Sequence, residues 1–266
     1  MLASLPMLDF PAHADTTNAF WAAIVTALRQ RGIDAPDQLT RAPDLMAQWQ
    51  SPDLLLSQTC GMPFVRHLRG KVRLVAGVAY DLPDLRPGTY CSRIILRADA
   101  PETTLEDLRG RRVAFNSADS QSGAGALRRL ILPLVPPGGA FFGQAVPTGA
   151  HVASIRAVAE GRADVAAIDA VTFAFAQRYI PEAQNVRVLM STDLTPGLPL
   201  ITANDGPAEP LFHAIAEALD QIGPEARRVL LISGIVPRAD ADYDGIADWD
   251  QRARAHGYCD LEEPAA

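Results

Sequence analysis

Arg112-Val113-Ala114-Phe115, running into Asn116-Ser117-Ala118-Asp119-Ser120-Gln121-Ser122-Gly123-Ala124-Gly125-Ala126-Leu127, is the stretch from which the rest of the chain can be read. The first four residues are an apolar, strand-like run, and the small polar residues after it open a helix. Ser and Gly at such a helix mouth leave backbone N–H groups unobstructed, and the aligned peptides behind them place partial positive charge there. The hydroxyls of Ser120 and Ser122 add donors, so the segment reads as a helix start able to hold an anion. The same residues would also appear in an ordinary Ser N-cap that satisfies only the helix's own N–H groups. The surrounding chain has to decide between the two.

Working outward, strands and helices of about ten residues alternate. A strand over Phe142 to Val146, a helix over Ala150 to Glu160, a strand over Asp164 to Asp169, a helix over Ala170 to Tyr179 and a strand over Val186 to Ser191 follow the quoted stretch. This order predicts an α/β fold with parallel sheets and right-handed crossovers. Upstream, a strand over Leu2 to Leu8 leads through Asp9-Phe10-Pro11 to a helix over Thr17 to Arg31, where Phe20, Ile24, Ala27 and Leu28 recur at helical spacing. A short helix near Pro43 to Gln50 is followed by an apolar strand, Asp53 to Gly61, that ends in Gln58-Thr59-Cys60. Strands over Val72 to Val78 and Ser92 to Leu96 flank the turn-forming Asp81-to-Gly88 segment. Downstream, Thr195-Pro196-Gly197 turns the chain into another apolar run, and Pro207 to Gln221 and Pro224 to Ser233 read as helices.

With crossings near Pro87-Gly88 and Pro196-Gly197, two lobes are expected: residues 1–88 with 197–266 in the first, and 89–196 in the second. Ligands of open α/β sheets sit beyond the carboxyl ends of the strands, where Asp9, Gln58, Thr59, Ser120, Ser122 and Asp169 are expected to fall.

Composition narrows the function. The chain has 266 residues, 48% hydrophobic, with 31 acidic against 24 basic side chains and a net charge of −7. It can bury a large core, and with no long basic run it is not expected to bind nucleic acid. Cys60, Cys91 and Cys259 stand far apart without metal-ligand spacing, so neither a disulfide framework nor a metal is indicated, and nothing points to a cofactor. The first nine residues lack a basic stretch followed by a 7–15-residue apolar run, so no export signal is expected in them. No window approaches the roughly 20 apolar residues of a membrane span.

Five features invite chemistry. His151 opens a helix beside the Ser120 loop, where the positive helix end disfavours an imidazolium; a surface histidine is the plain alternative. Asp169 ends the strand Val165-Ala166-Ala167-Ile168, where it either meets a ligand or caps the next helix. Ser122, His151 and Asp169 together suggest a hydrolase triad, but no G-x-S-x-G elbow is present and their order in the chain matches no familiar triad. Asp240-x-Asp242-x-Asp244-Gly245 imitates a calcium loop, yet its twelfth position is Gln251 rather than Glu, so an acidic turn before a helix over Asp248 to Ala255 is expected instead. Gly123-Ala124-Gly125 lacks the third glycine of a dinucleotide fingerprint.

Taken together, these motifs resemble the phosphate/phosphonate substrate-binding proteins of ABC transporters, a branch of the type 2 periplasmic-binding-protein fold. Gly149-Ala150-His151 through Ala163-Asp164-Val165-Ala166-Ala167 is similar to that family's G-S-H to A-D-x-A-A segment. Ser120-Gln121-Ser122-Gly123 is similar to its S-T-S-G oxyanion loop, and Tyr90-Cys91-Ser92 to its crossover strand. The resemblance implies a two-lobed protein, each lobe a mostly parallel sheet flanked by helices, that closes by a hinge on a small oxyanion in an interlobe cleft.

Ser120, Gln121, Ser122 and Gly123 would hold the anion with Tyr90 and His151, Asp169 would meet an amine or hydroxyl, and Gln58, Thr59 and Asp9 would complete the site. Gln121 departs from the family's Thr, and Gln58-Thr59 stands where phosphonate binders carry a Tyr. A periplasmic monomer delivering to an ABC permease is implied; without an export signal, a cytoplasmic location is the alternative. An enzyme on the same fold, of the menaquinone- or thiamine-precursor type, and a cytoplasmic ligand sensor are the competing functions.

Overall fold

The structure, a computed structural model, describes residues 1–41, 43–257 and 261; Cys259 lies outside them. The chain divides into two compact units. Unit 1 is Met1–Tyr90 with Pro196–Asp244, and unit 2 is Cys91–Thr195 with the described residues from Gly245 onward. The first crossing therefore falls after Tyr90, which belongs to unit 1 and not to the second lobe.

In unit 1 the strands Leu2–Ala3, Leu54–Gln58, Pro199–Ala203, Val72–Tyr80 and Ile232–Val236 lie in that order across one sheet. Only the first pair is parallel; the other three are antiparallel. Pro199–Ala203 enters from the return crossing, so no βαβ crossover fixes its direction. The helix Ala14–Gln30 packs against Ala208–Gln221, burying Phe20, Ile24 and Leu28 with Leu211, Ile215 and Leu219.

Three local expectations change here. The first strand is only Leu2–Ala3, because Pro6 begins a turn in which the Leu8 and Asp9 N–H groups both bond the Leu5 carbonyl at 2.9 and 3.0 Å. A helical segment, Gly61–Pro63 continued by Phe64–Leu68, follows the second strand, with no N-cap side chain at Cys60 to announce it. The helix from Gly223 ends at Leu230: Leu231 turns left-handed, with φ of 56°, and Ile232–Val236 becomes an edge strand.

Unit 2 has the sheet order Gln144–Pro147, Arg112–Phe115, Val165–Asp169, Ser92–Arg97, Val186–Ser191. The first three strands are mutually parallel, while Ser92–Arg97 runs antiparallel to both its neighbours. The pairing is thus mixed in both units and not mostly parallel, since strands that follow a crossing are free of the helix-linked handedness rule.

Successive residues of a strand point to opposite faces, and the unit 2 core obeys this. Ile94, Leu96, Val113, Phe115, Val165 and Ala167 pack on one face with Leu127 and Ile131. Ile95, Ala114, Ala166 and Ile168 pack on the other with Ile155, Val158 and Phe173. Helices therefore cover both faces of the sheet.

The segment after Gly245 belongs with unit 2, not with the first lobe as the lobe boundaries predicted. Trp249 of the helix Asp244–Ala255 stacks under Arg129 at 5.0 Å, the His256 carbonyl accepts the Gly138 N–H at 2.9 Å, and Leu261 is fully buried in the unit 2 core. These contacts are long-range and leave no local sequence signal. Asp240–Tyr243 forms a single 3-10 turn in which Asp242 accepts the Ala239 N–H at 3.0 Å, the acidic turn read from sequence. No helix of the described residues is long and apolar enough to cross a membrane.

Candidate oxyanion site

The three parallel strands of unit 2 end on one edge of the sheet, and each is followed by a helix that starts there. Arg112–Phe115 leads to Gln121–Gly125 and Ala126–Ile131, Gln144–Pro147 to His151–Ala159, and Val165–Asp169 to Ala170–Tyr179. Three helix N-termini on one edge concentrate positive partial charge and unfilled N–H groups.

Ser120 caps the first of these helices. Its backbone is extended, with φ of −76° and ψ of 124°, and its Oγ accepts the Gly123 N–H at 3.0 Å. The Gly125 N–H reaches back to the Ser120 carbonyl at 2.9 Å, an i to i+5 bond that widens the first turn. So Ser120 is an N-cap as the plain reading held, and the widened turn presents Gln121 and Ser122 at its mouth. Gly123 has no room for a side chain: an added Cβ would lie 2.0 Å from Asn116 Oδ1 and 3.1 Å from Ser120 Oγ. Ser120→Ala is expected to cost about 1 kcal/mol through the lost cap, a fall of about 2–4 °C in Tm for a chain of this size; thermal denaturation without ligand checks it.

Ser122 turns instead to His151: Ser122 Oγ and His151 Nε2 are 2.9 Å apart. The loop before His151 is fixed by Thr148, whose N–H and Oγ1 both bond the Phe115 carbonyl, at 2.9 and 3.0 Å, and whose Oγ1 also meets Ser154 Oγ at 2.6 Å. Burial pushes the His151 imidazole down to about 4, opposed only by the backbone of Ala167. The ring is neutral at neutral pH, and the cause is burial.

Asp169 does both things the sequence allowed. One carboxylate oxygen caps the following helix, accepting the Thr172 N–H at 2.8 Å. The other, Oδ2, is buried without a partner among the described residues. Burial raises its pKa to about 6 against the hydrogen bonds from Thr172 and Val171 and the charge of Arg93. His151 Nδ1 is buried without a hydrogen-bond partner among the described residues, so Asp169 does not join the Ser122–His151 pair and these three residues do not build a hydrolase triad.

Ser120, Gln121, Ser122, Gly123, His151 and Asp169 are thus brought to one edge of unit 2. The remaining expected residues lie in unit 1. Tyr90 is fully buried in the strand Thr89–Tyr90. Gln58, last in its strand and fully buried, donates Nε2 to Tyr80 Oη at 2.9 Å, while its Oε1 lacks a partner among the described residues. Thr59 is also fully buried, its N–H on the Pro199 carbonyl at 3.0 Å. Asp9 is held by the Arg41 guanidinium at 2.6 and 3.1 Å, and Arg41 also donates to Asn18 Oδ1 at 2.8 Å.

Sequence reasoning missed Arg41, whose partner is 32 residues away, and the supporting roles of Asn116 and Thr148. Only the last two had a signal, each lying within or beside a motif already singled out. No group of three or more His, Cys, Asp or Glu among the described residues could hold a metal ion.

A family description, ABC transporter, phosphonate, periplasmic substrate-binding protein, matches residues 44–243. The chain belongs to this family of periplasmic phosphonate-binding proteins of ABC transporters. The matched span contains Ser120, Ser122, His151 and Asp169. Among curated proteins none matches.

Solved structures share the fold over nearly the whole chain. A binding-protein component of an ABC phosphonate transporter (PA3383) from Pseudomonas aeruginosa superposes with a TM-score of 0.72 at 17% identity, over 100% of this chain and 90% of that one. PhnD1 from Prochlorococcus marinus (MIT 9301), in complex with methylphosphonate, gives 0.72 at 14% identity over 95% and 97%. XAC2383 from Xanthomonas citri, bound to ATP, gives 0.71 at 18% over 96% and 98%. At such identities these likenesses carry the two-lobed fold and not the ligand.

Proposed function

We propose that this member of the phosphonate-binding family captures a small phosphonate through the unit 2 edge and hands it, as a monomer, to an ABC permease without making or breaking a bond. The observation that carries the reading is the Ser122–His151 hydrogen bond at the meeting of three helix N-termini. A neutral imidazole and two serine hydroxyls can each donate to or accept from an oxyanion without bringing charge that must be desolvated. Backbone N–H groups of the widened first turn add charge-assisted bonds, each worth about 1.5–3 kcal/mol. Four or five such bonds cover the roughly 8 kcal/mol of micromolar affinity once ordering costs are subtracted.

The unpartnered Asp169 Oδ2 favours a ligand that carries a donor, such as the amine of an aminoalkylphosphonate. Tyr90, Gln58, Thr59 and Asp9 are proposed as secondary contacts, with Asp9 acting through its ion pair with Arg41. Titration calorimetry with methylphosphonate, aminoethylphosphonate, phosphite and phosphate tests the reading. Micromolar binding of at least one is expected, weakened about tenfold or more by Ser122→Ala, with the ligand recovered unchanged in phosphorus NMR. Heat from none of the four would remove the ligand class, and consumption of a phosphonate would favour an enzyme.

A further inference from the structure

The other edge of the unit 2 sheet carries a second polar hollow, of about 210 Å³, where Arg112–Phe115 and Val165–Asp169 begin and the antiparallel Ser92–Arg97 ends. We propose that this hollow is a separate binding site for a compact anion carrying two or more negative charges. Its lining has Arg97, Arg111 and Arg112 against Glu102 and Asp164, an excess of one positive charge that Asp99, outside the lining and paired with Arg97, offsets in part.

Each guanidinium has five N–H donors, and the carboxylates use only some of them. Arg97 gives Nε to Asp99 at 2.5 Å, Arg111 gives Nη2 to Glu102 at 2.6 Å, and Arg112 places Nε and Nη2 on Asp164 at 3.1 and 2.7 Å. Asp99 is 72% exposed, so it neutralises Arg97 weakly.

The frame around these donors is fixed. Glu102 is 9% exposed, and Arg187 ties its loop by bonding the Ala100 carbonyl at 2.9 Å and the Glu102 carbonyl as well. Gly161 at the rim follows the preceding helix in the left-handed region, with φ of 72°, and a Cβ there would stand 3.3 Å from Arg97 Nη1. An anion can therefore approach Arg97 and Arg111 while the Arg112–Asp164 fork remains intact. Asp169 and this hollow lie at opposite ends of one five-residue strand, roughly 13 Å apart at about 3.3 Å per residue, so the two sites are chemically independent.

Calorimetry of the full chain with tripolyphosphate and, separately, citrate tests the assignment and tells phosphate from carboxylate recognition. Saturable binding of at least one of them at submillimolar concentration is expected, weakening as salt rises. It should persist in Ser122→Ala and fall at least tenfold in both Arg97→Gln and Arg111→Gln, whose methylphosphonate affinity stays at the parent value. Absence of saturable heat with either anion up to 10 mM overturns the proposal. So does binding that both arginine variants keep, or that Ser122→Ala abolishes.

Discussion

A Gly123→Ala variant is expected to bind its phosphonate about a hundredfold more weakly than the parent protein. Gly123 does not have a positive φ, so the constraint is space and not backbone freedom. A methyl group there would stand 2.0 Å from Asn116 Oδ1, far inside any contact distance. Either Asn116 swings away from the strand end or the first turn of the helix lifts. The Gly123 N–H is the donor that Ser120 Oγ caps at 3.0 Å, so lifting the turn also breaks the cap and moves Ser122 away from His151. Losing two charge-assisted bonds at about 1.5 kcal/mol each amounts to about a hundredfold in affinity.

Calorimetry measures the loss, and a second substitution separates its causes. If the clash with the carboxamide is the reason, Asn116→Ala in the Gly123→Ala background recovers most of the affinity, a coupling that a double-mutant cycle detects. Binding by Gly123→Ala within threefold of the parent would show that the tight turn has no part in holding the anion.

Asp169→Asn is expected to raise stability and lower affinity together. In the folded protein Asp169 titrates near 6 because burial penalises its charge, whereas in the unfolded chain it titrates near the ordinary value of about 3.9. A folded pKa above the unfolded one means that the group's contribution is intact below about pH 4 and is lost as pH rises through 6. Above that the buried carboxylate costs the fold up to about 3 kcal/mol, from roughly two units at 1.36 kcal/mol each. Asparagine carries no charge and caps a helix as well as aspartate does.

The variant should therefore gain about 1–3 kcal/mol at pH 8 and nothing at pH 4, read as a Tm difference across pH. His151 works in the opposite sense. Its folded pKa lies near 4, below the ordinary value, so its contribution is present above about pH 6.5 and is lost as pH falls. On the binding side, Asp169→Asn should weaken aminoethylphosphonate by at least tenfold and methylphosphonate by much less, since only the former brings an amine to the spare oxygen. Equal loss for both ligands would remove Asp169 from ligand selection, and an unchanged Tm at pH 8 would mean that the carboxylate is better solvated than its burial implies.

Reading the sequence worked best where a signal is local and periodic. The strand–loop–helix at Arg112 to Ile131, the helix opened by His151 and the strand closed by Asp169 were each legible from apolar alternation and small residues at the turn. These three units carry the whole unit 2 edge, which is why the places of Ser120, Ser122, His151 and Asp169 at strand ends and helix starts could be read from the sequence. Direction of pairing was not legible, because a strand entering after a crossing has the same composition whether it runs parallel or antiparallel. The return of the C-terminal helix to unit 2 was likewise hidden: it rests on Trp249 beneath Arg129 and on Leu261 in a core whose other buried residues all lie far earlier in the chain, between Ile94 and Ala167.

The sequence by itself determined that this chain is a two-unit α/β protein, since periodicity and turn residues are properties of neighbouring residues, and its Ser120-to-Gly123 and His151 motifs carried the resemblance to the phosphonate-binding family. Only the tertiary structure decided what those residues do. It gave Ser120 to the helix as a cap, paired Ser122 with His151, left Asp169 one unspent oxygen, and fixed Asp9 to Arg41. The physical reason is that burial and hydrogen-bond partners arise from segments brought together in space. An anion loop and an ordinary N-cap are the same string of residues until the groups facing them are known.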